Sequence, residues 1–207
     1  MTTTRYAQPG EFTRDTRYIT TRITTDGADG YPVEPGRYRL IAARACPWAN
    51  RAIIVRRLLG LEDVLSMGLC GPTHDERSWT FDLDPGGVDP VLKIPRLQDA
   101  YFKRIPGYDR GVTVPAIVDI PSGAVVTNDY PQMTLDLSTQ WTAYHRAGAP
   151  DLYPERLREE IDVVARRVED VDLLALPFER SEARGDRHLA GLLVGGGIGD
   201  RGAVDDV

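Results

Sequence analysis

Residues 38–60 read YRLIAARACPWANRAIIVRRLLG and contain the elements that decide the fold. The apolar run Tyr38–Ala43 is short and has turn residues on both sides, which predicts a buried β-strand. A helix is predicted over Trp48–Leu59, because this stretch follows Pro47 and offers apolar residues for a buried face. Gly60 supplies a C-terminal cap, and the arginines of the last turn favour the helix dipole. The stretch is therefore strand, turn and helix.

The next elements extend this pattern. The apolar run Val64–Cys70 predicts a second strand, so the opening is βαβ, with a parallel strand pair and a right-handed crossover. The segments Val112–Asp119 and Ala124–Thr127 flank a Pro-Ser-Gly turn and predict an antiparallel hairpin. A helix is then predicted over residues 131–144, which begin with a proline at a favoured position. The sum is βαβ followed by ββα, an α/β fold.

The chain divides into three predicted segments. Residues 1–35 have no sustained periodicity and form an extended N-terminal arm. Residues 36–145 form the α/β domain, with a long insertion at about 71–111 that is rich in Pro, Gly and Asp. A short helix is predicted over Leu97–Arg104 in this insertion. Residues 146–207 follow as a linker and a less regular C-terminal part.

The composition excludes several classes of protein. The chain has 207 residues, 42% of them hydrophobic and 27% charged, which excludes wholesale disorder. Its net charge of −6 argues against a nucleic-acid partner, which needs clustered Lys and Arg. It has no run of about 18 apolar residues to span a bilayer. Its first residues lack the apolar core of a secretory signal, so we expect no membrane partner and a cytoplasmic location.

The two cysteines, Cys46 and Cys70, fit no metal-ligand spacing, so we expect no metal and two free thiols. Cys46 stands just ahead of a helix, where unpaired N–H groups and the helix dipole lower a thiol pKa. Only a thiolate attacks sulfur. Because Ala49 stands where a Cys-x-x-Cys partner would be, an external thiol must complete any redox cycle. The alternative is a buried core cysteine, which we favour for Cys70.

Five short motifs follow one another along the chain. They are Arg44-Ala-Cys-Pro-Trp-Ala-Asn-Arg51, Ser78-Trp-Thr-Phe81, Val112-Thr-Val-Pro115, Thr127-Asn-Asp129 and Asp151-Leu-Tyr-Pro-Glu155. In sequence and in order they resemble the xi class of glutathione transferases, the glutathionyl-hydroquinone reductases. The resemblance runs from about Gly36 to Asp162, about 60% of the chain.

The resemblance implies a thioredoxin-like domain of the glutathione-transferase N-terminal type, followed by an all-helical domain that covers the quinone side. It implies an enzyme that removes a glutathionyl group from a hydroquinone. A cysteine attacks the sulfur of the adduct, the hydroquinone leaves, and a second glutathione resolves the mixed disulfide. Cys46 matches that nucleophile. Glutathione is then the co-substrate, a quinone-type molecule is the substrate, and a homodimer is the expected assembly.

Three further positions match family residues that bind glutathione. Val114 precedes a proline that this fold holds as a cis peptide, which leaves the Val114 backbone free to pair with a thiol; the alternative is an ordinary trans bond. Asp129 keeps a negative charge for the ammonium group of glutathione, or it serves only as a helix cap. Trp79 matches a tryptophan that lies against glutathione, or it anchors its loop in the core.

The chain departs from the family pattern in two places. Tyr130 stands where the family has a small hydroxyl residue, so another low-molecular-weight thiol such as mycothiol is an alternative to glutathione. The resemblance ends at about Asp162. Residues 146–207 are expected to hold only a remnant of the helical domain, with an atypical tail from about Val171 that reflects truncation or a reading-frame change. Two other functions therefore stay open: a reductase of other thiol mixed disulfides, and a catalytically silent thiol-binding fragment.

Overall fold

The computed structural model describes residues 15–72, 74–75 and 77–170. The predicted atypical tail from about residue 171 lies outside these residues, as does the start of the N-terminal arm. From residue 15 to the first strand the chain contains no helix and only isolated β-bridges, such as the one between Thr20 and Thr127. None of the helices in the described part is long and apolar enough to cross a membrane.

The described chain is built on one four-stranded sheet flanked by helices. The elements are β1 (Tyr38–Ala42), α1 (Pro47–Leu59), β2 (Ser66–Leu69), β3 (His74–Asp75), β4 (Ser78–Trp79), α2 (Leu97–Arg104), β5 (Ala116–Asp119), β6 (Ala124–Thr127), α3 (Tyr130–Thr139) and α4 (Arg158–Asp170). The strand order is β2-β1-β5-β6; β1 is parallel to β2 and antiparallel to β5, and β6 is antiparallel to β5. This is the predicted thioredoxin-like arrangement, and α2 has the predicted bounds.

The ends of α1 follow directly from the sequence. Pro47 opens the helix, where its missing N–H is not needed. Gly60 closes it with a φ of 73°, a left-handed conformation that only glycine adopts without strain, and its N–H reaches the Arg56 carbonyl. The buried Arg56 side chain then donates to the Leu65 carbonyl at 2.6 Å and to the Glu62 carbonyl at 3.1 Å. These bonds fix the connection from α1 to β2.

Different helices cover the two faces of the sheet. Because successive side chains of a strand point to opposite faces, Leu40 and Ile41 of β1 enter separate buried clusters. The helices α1 and α3 contribute to the cluster of Leu40, through Leu59 and Leu137 for example. The helix α2 and the insertion cover the other face, and Cys46 belongs to that cluster. The cysteine is therefore held between the sheet and the insertion.

Two elements differ by more than two residues at one end from the sequence-based expectation. The helix predicted over residues 131–144 consists of α3 and a separate 3₁₀ turn at Thr142–Tyr144. The hydroxyls of Ser138 and Thr139 donate to carbonyl oxygens one turn back, a bonding pattern that weakens and bends a helix end. Strand β5 begins at Ala116, four residues later than predicted, because the proline before it has no N–H for the strand pairing.

A buried ion pair ties the insertion to the sheet. Arg39 of β1 donates from Nε and Nη2 to one oxygen of Asp89 at 2.9 and 2.8 Å, and the two side chains are only 7% and 0% exposed. The other Asp89 oxygen accepts the N–H groups of Val91 and Leu92. Gly68 of β2 lies so close that a Cβ there would stand 2.5 Å from the carboxylate. The insertion is therefore anchored despite its polar composition.

Replacing Asp89 by alanine is expected to lower the free energy of unfolding by about 3–5 kcal/mol, because the Arg39 guanidinium is left buried without its carboxylate. Glu34→Ala is the matched control, since it removes the exposed partner of Arg37. That loss is expected to stay below about 1 kcal/mol. Urea-induced unfolding of both variants measures the difference. Equal losses would contradict the role of the buried pair.

Candidate active site

Cys46 lies in the turn between β1 and α1, at the N-cap position of the helix. Its backbone is extended, with φ −94° and ψ 116°. Its carbonyl oxygen accepts the Asn50 N–H at 3.1 Å, and its own N–H donates to the Ala43 carbonyl at 3.0 Å. The residue is 7% exposed. The sulfur is thus placed at the positive end of the α1 dipole, where an anion is favoured.

The Cys46 thiol contacts the loop that leads into β5. Its Sγ donates to the Val114 carbonyl oxygen over an S···O distance of 3.4 Å. The Val114–Pro115 peptide is cis, as expected, and Val114 lies just outside the strand pairing that begins at Ala116. The two loops meet because Ile41 of β1 pairs with Ala116. A thiol ligand lying along the Val114 backbone would therefore meet the Cys46 sulfur.

Cys70 has a different environment from Cys46. It follows β2, and its N–H donates to the Ala42 carbonyl at 2.8 Å, which prolongs the pairing of β1 with β2. The side chain is buried, and burial raises the pKa of the Cys70 thiol far above its ordinary value. A thiol that stays protonated is a poor nucleophile at neutral pH. The prediction of a core cysteine at this position is confirmed.

Asp129 caps α3, where one carboxylate oxygen accepts the Gln132 N–H at 3.3 Å. Among the residues that the structure describes, Asp129 has no salt-bridge partner, whereas Asp136 of the same helix is paired with Arg22. Burial raises the pKa of the Asp129 carboxyl, and the nearby charge of Asp136 raises it further. The Gln132 N–H offsets part of this shift, so the ionised carboxylate is less stable here than in water, and a cationic group of a ligand would stabilise it.

Trp79 lies in β4 and is almost fully buried. It belongs to the same apolar cluster as Cys46 and Val114, so three of the four predicted site residues are brought together. Asp129 is not a member of that cluster; it stands at the end of β6, where α3 begins. The burial of Trp79 fits its predicted role as a core anchor of the insertion, and the role of lying against glutathione stays a prediction.

Two residues near the site were not singled out by the sequence. Arg51 of α1 places its guanidinium carbon 5.9 Å from the ring centroid of Tyr130, and Tyr18 meets the same ring edge-on at 6.1 Å. Arg51 is the last residue of the motif around Cys46, so its place in the motif was an available signal. Tyr18 belongs to the N-terminal arm, whose sequence has no periodicity to reveal a contact.

A cavity of about 490 Å³ lies between α1 and α4. Its lining residues are Arg51, Leu157, Glu160, Ile161, Val164 and Ala165. The walls are mostly apolar with one cation and one anion, a composition and size typical of sites for small organic molecules. In the described stretches of the chain, no group of three or more His, Cys, Asp or Glu side chains could hold a metal ion.

The chain is similar to characterised proteins, although no protein-family model matches it. It is 34% identical over 161 residues to the glutathionyl-hydroquinone reductase YqjG of Escherichia coli, covering 74% of this chain and 49% of that protein. The chain spans about half the length of the curated relatives it matches. The likeness to these relatives is therefore a likeness to one part of each.

Solved structures extend the comparison. A glutathione transferase from Gordonia bronchialis is 75% identical, with a TM-score of 0.73, over 74% of this chain and 48% of that one. The xi glutathione transferase from Phanerochaete chrysosporium is 34% identical, with a TM-score of 0.70, over 78% of this chain and 52% of that one. The glutathione-bound structure of YqjG is 33% identical, with a TM-score of 0.66, over 72% of this chain and 51% of that one.

Asp129→Asn is expected to be at least as stable as the unchanged protein at pH 7, because Asn caps a helix as well as Asp and carries no charge. A folded-state pKa above the unfolded value means that ionisation destabilises the fold above that pKa. This destabilisation vanishes when the pH falls below the ordinary pKa of Asp, about 3.9. Thermal melts should therefore favour the variant at pH 7 and show no such advantage near pH 3.

The matched control is Asp136→Asn, which breaks the ion pair with Arg22 and should lower the melting temperature at pH 7. If Asp129→Asn also melts well below the unchanged protein at pH 7, the carboxylate is stabilised within the fold. That result would contradict the conclusion that the ionised Asp129 carboxylate is less stable in the protein alone than in water.

Proposed function

Because the chain belongs to the xi-class family of glutathione transferases, we propose that it is a glutathione-dependent reductase that removes the glutathionyl group from glutathionyl-hydroquinones. Cys46 is the proposed nucleophile, and Val114, Asp129 and Trp79 are the proposed glutathione-binding residues. The chain spans only about half of its curated relatives, so the activity, the substrate and the partners are all part of the proposal.

The placement of the Cys46 sulfur carries this proposal. The sulfur stands at the N-terminus of α1 and within hydrogen-bond distance of the Val114 carbonyl oxygen. The protonated thiol makes this hydrogen bond, whereas the helix dipole favours the thiolate, which is the form that attacks sulfur. The Val114 backbone, outside the sheet pairing, offers a strand-like edge for the cysteinyl part of glutathione. The partly buried Asp129 carboxylate supplies the charge for its ammonium group.

The proposed reaction has two sulfur-transfer steps. The Cys46 thiolate attacks the glutathione sulfur of the adduct. The S–S bond forms as the bond from that sulfur to the ring carbon breaks, and the electron pair left on the ring carbon takes up a proton. A second glutathione thiolate attacks the mixed disulfide, which releases glutathione disulfide and restores the Cys46 thiolate. The net reaction converts the adduct and one free glutathione into the hydroquinone and glutathione disulfide. The two electrons that the ring carbon gains come from joining two glutathione sulfurs in a disulfide, one from the adduct and one from the free thiol.

The second thiol must come from outside the protein. Ala49 occupies the position of a Cys-x-x-Cys partner, and Cys70 is buried with a raised pKa. Neither residue offers a thiolate that could resolve a mixed disulfide on Cys46. The cycle therefore depends on a pool of reduced small thiols, which is a property of the cytoplasm. A cytoplasmic location and a homodimer stay predictions, and sedimentation at equilibrium would test the dimer.

A second candidate function rests on Tyr130. Its aromatic ring is buried against Tyr18 at the position where the family has a small hydroxyl residue. One hydroxyl contact to the amino end of glutathione is thereby replaced by a bulky side chain. This favours, as an alternative, a reductase of mixed disulfides of a different thiol, such as mycothiol. A silent thiol-binding fragment is the third possibility, and turnover distinguishes it from both reductases.

Cys46→Ser is expected to reduce the release of hydroquinone from a glutathionyl-hydroquinone to the uncatalysed background, because serine offers no thiolate. Cys70→Ala is the matched control and should retain turnover. Intact mass after incubation with glutathione disulfide should show one glutathionyl group, on Cys46. An adduct with mycothiol disulfide instead would favour the second candidate. Turnover that survives in Cys46→Ser would overturn the mechanism.

A further inference from the structure

We propose that Asn128 is a positioning residue of the thiol site. Its side-chain amide holds the Val114 loop and the Asp129 cap at a fixed spacing and joins both to the N-terminal arm. The inference rests on the proposed function, because it assigns a role in binding the thiol. It adds a residue and a chain segment, the arm, to a site that would otherwise consist of the loops around Cys46.

The Asn128 amide is buried and bonded at both of its ends. The residue is 1% exposed and lies between β6 and α3. Its Oδ1 accepts the Ile19 N–H at 2.7 Å, and its Nδ2 donates to the Thr113 hydroxyl at 2.8 Å. One side chain therefore connects two segments that are distant from it in sequence. Breaking either bond would leave a buried polar group unsatisfied.

The bond to Thr113 fixes the loop that meets the nucleophile. Thr113 immediately precedes Val114, whose carbonyl oxygen accepts the Cys46 thiol. The Thr113 carbonyl oxygen in turn accepts the hydroxyl of Tyr101 from α2 at 2.8 Å. The loop is thus held by its side chain on one side and by its backbone on the other. Strand β5 continues directly after it, so the Val114 backbone has little freedom to shift.

The arm is clamped by the neighbouring residue as well. The Thr127 hydroxyl donates to the Ile19 carbonyl oxygen at 2.8 Å and accepts the Asp129 N–H at 3.2 Å. Together with Asn128, it binds both the N–H and the carbonyl oxygen of Ile19, which is itself buried. The turn that carries Asp129 is therefore fastened to the arm by a second buried contact.

The two proposed contact points for the thiol lie at opposite ends of this network. The Val114 backbone would bind the cysteinyl part, and the Asp129 carboxylate would bind the amino end. A single peptide-like ligand must satisfy both, so its affinity depends on their spacing. The α1 N-terminus contributes to the reactivity of the free Cys46 sulfur, and this contribution does not depend on the network. Loosening the network should therefore weaken thiol binding by a larger factor than it changes the alkylation rate of the free Cys46 thiol.

The test measures how well S-methylglutathione, which cannot form a disulfide, protects Cys46 from iodoacetamide in the full chain. The protection constant is the S-methylglutathione concentration that halves the alkylation rate, so a higher constant means weaker binding. Thr113→Val removes the hydroxyl that Asn128 bonds while keeping the shape of the side chain. It should raise the protection constant about tenfold, because the Val114 loop loses the bond that sets its spacing from Asp129. Thr113→Ser retains a hydroxyl and should change the constant less than about twofold. Asn128→Ala should match or exceed the effect of Thr113→Val.

The alkylation rate without ligand is measured in every variant as the reference for its protection constant, and thermal melts report the folding of each variant. A lower melting temperature with an unchanged protection constant would mean a merely structural role and would overturn the inference alone. Equal effects of Thr113→Val and Thr113→Ser would overturn it as well. If S-methylglutathione does not protect Cys46 even in the unchanged protein, the proposed glutathione function fails, and this inference fails with it.

Discussion

The contact between the Cys46 thiol and the Val114 carbonyl oxygen defines the site. The two residues are 68 positions apart, and their loops meet only because β1 and β5 are neighbours in the sheet with Ile41 opposite Ala116. A shift of this pairing by one residue would turn every side chain of one strand to the other face of the sheet. The register of two short strands thus determines whether Cys46, the proposed nucleophile, meets the Val114 backbone, the proposed binding segment for the thiol.

The two carboxylates at α3, Asp129 at its N-cap and Asp136 within it, have different electrostatic environments. Asp136 is paired with Arg22 of the arm and stabilises the fold. Asp129 is partly buried, and burial raises its pKa, so its negative charge is held in an unfavourable place. Sites that bind charged ligands commonly keep such a group at some loss of stability. The asymmetry supports a ligand-binding role for Asp129 beyond its role as a helix cap.

The elements that nearby residues determine could be predicted from the sequence. Pro47 and Gly60 mark the ends of α1, and the apolar runs mark the strands, because these effects act within a few residues. The bonds of Asn128 to Ile19 and Thr113 could not be predicted, since they join segments that only the folded sheet brings together. The same holds for the ion pair of Arg39 with Asp89, which anchors an insertion whose composition suggests a loose loop.

The central claim is that the N-terminus of α1 holds the Cys46 sulfur as a thiolate near neutral pH. The rate of alkylation by iodoacetamide, measured against pH in Cys70→Ala so that one thiol reacts, tests it directly. We predict a midpoint at least about one pH unit below the ordinary thiol value of about 8.5. A midpoint at or above that value would contradict the claim.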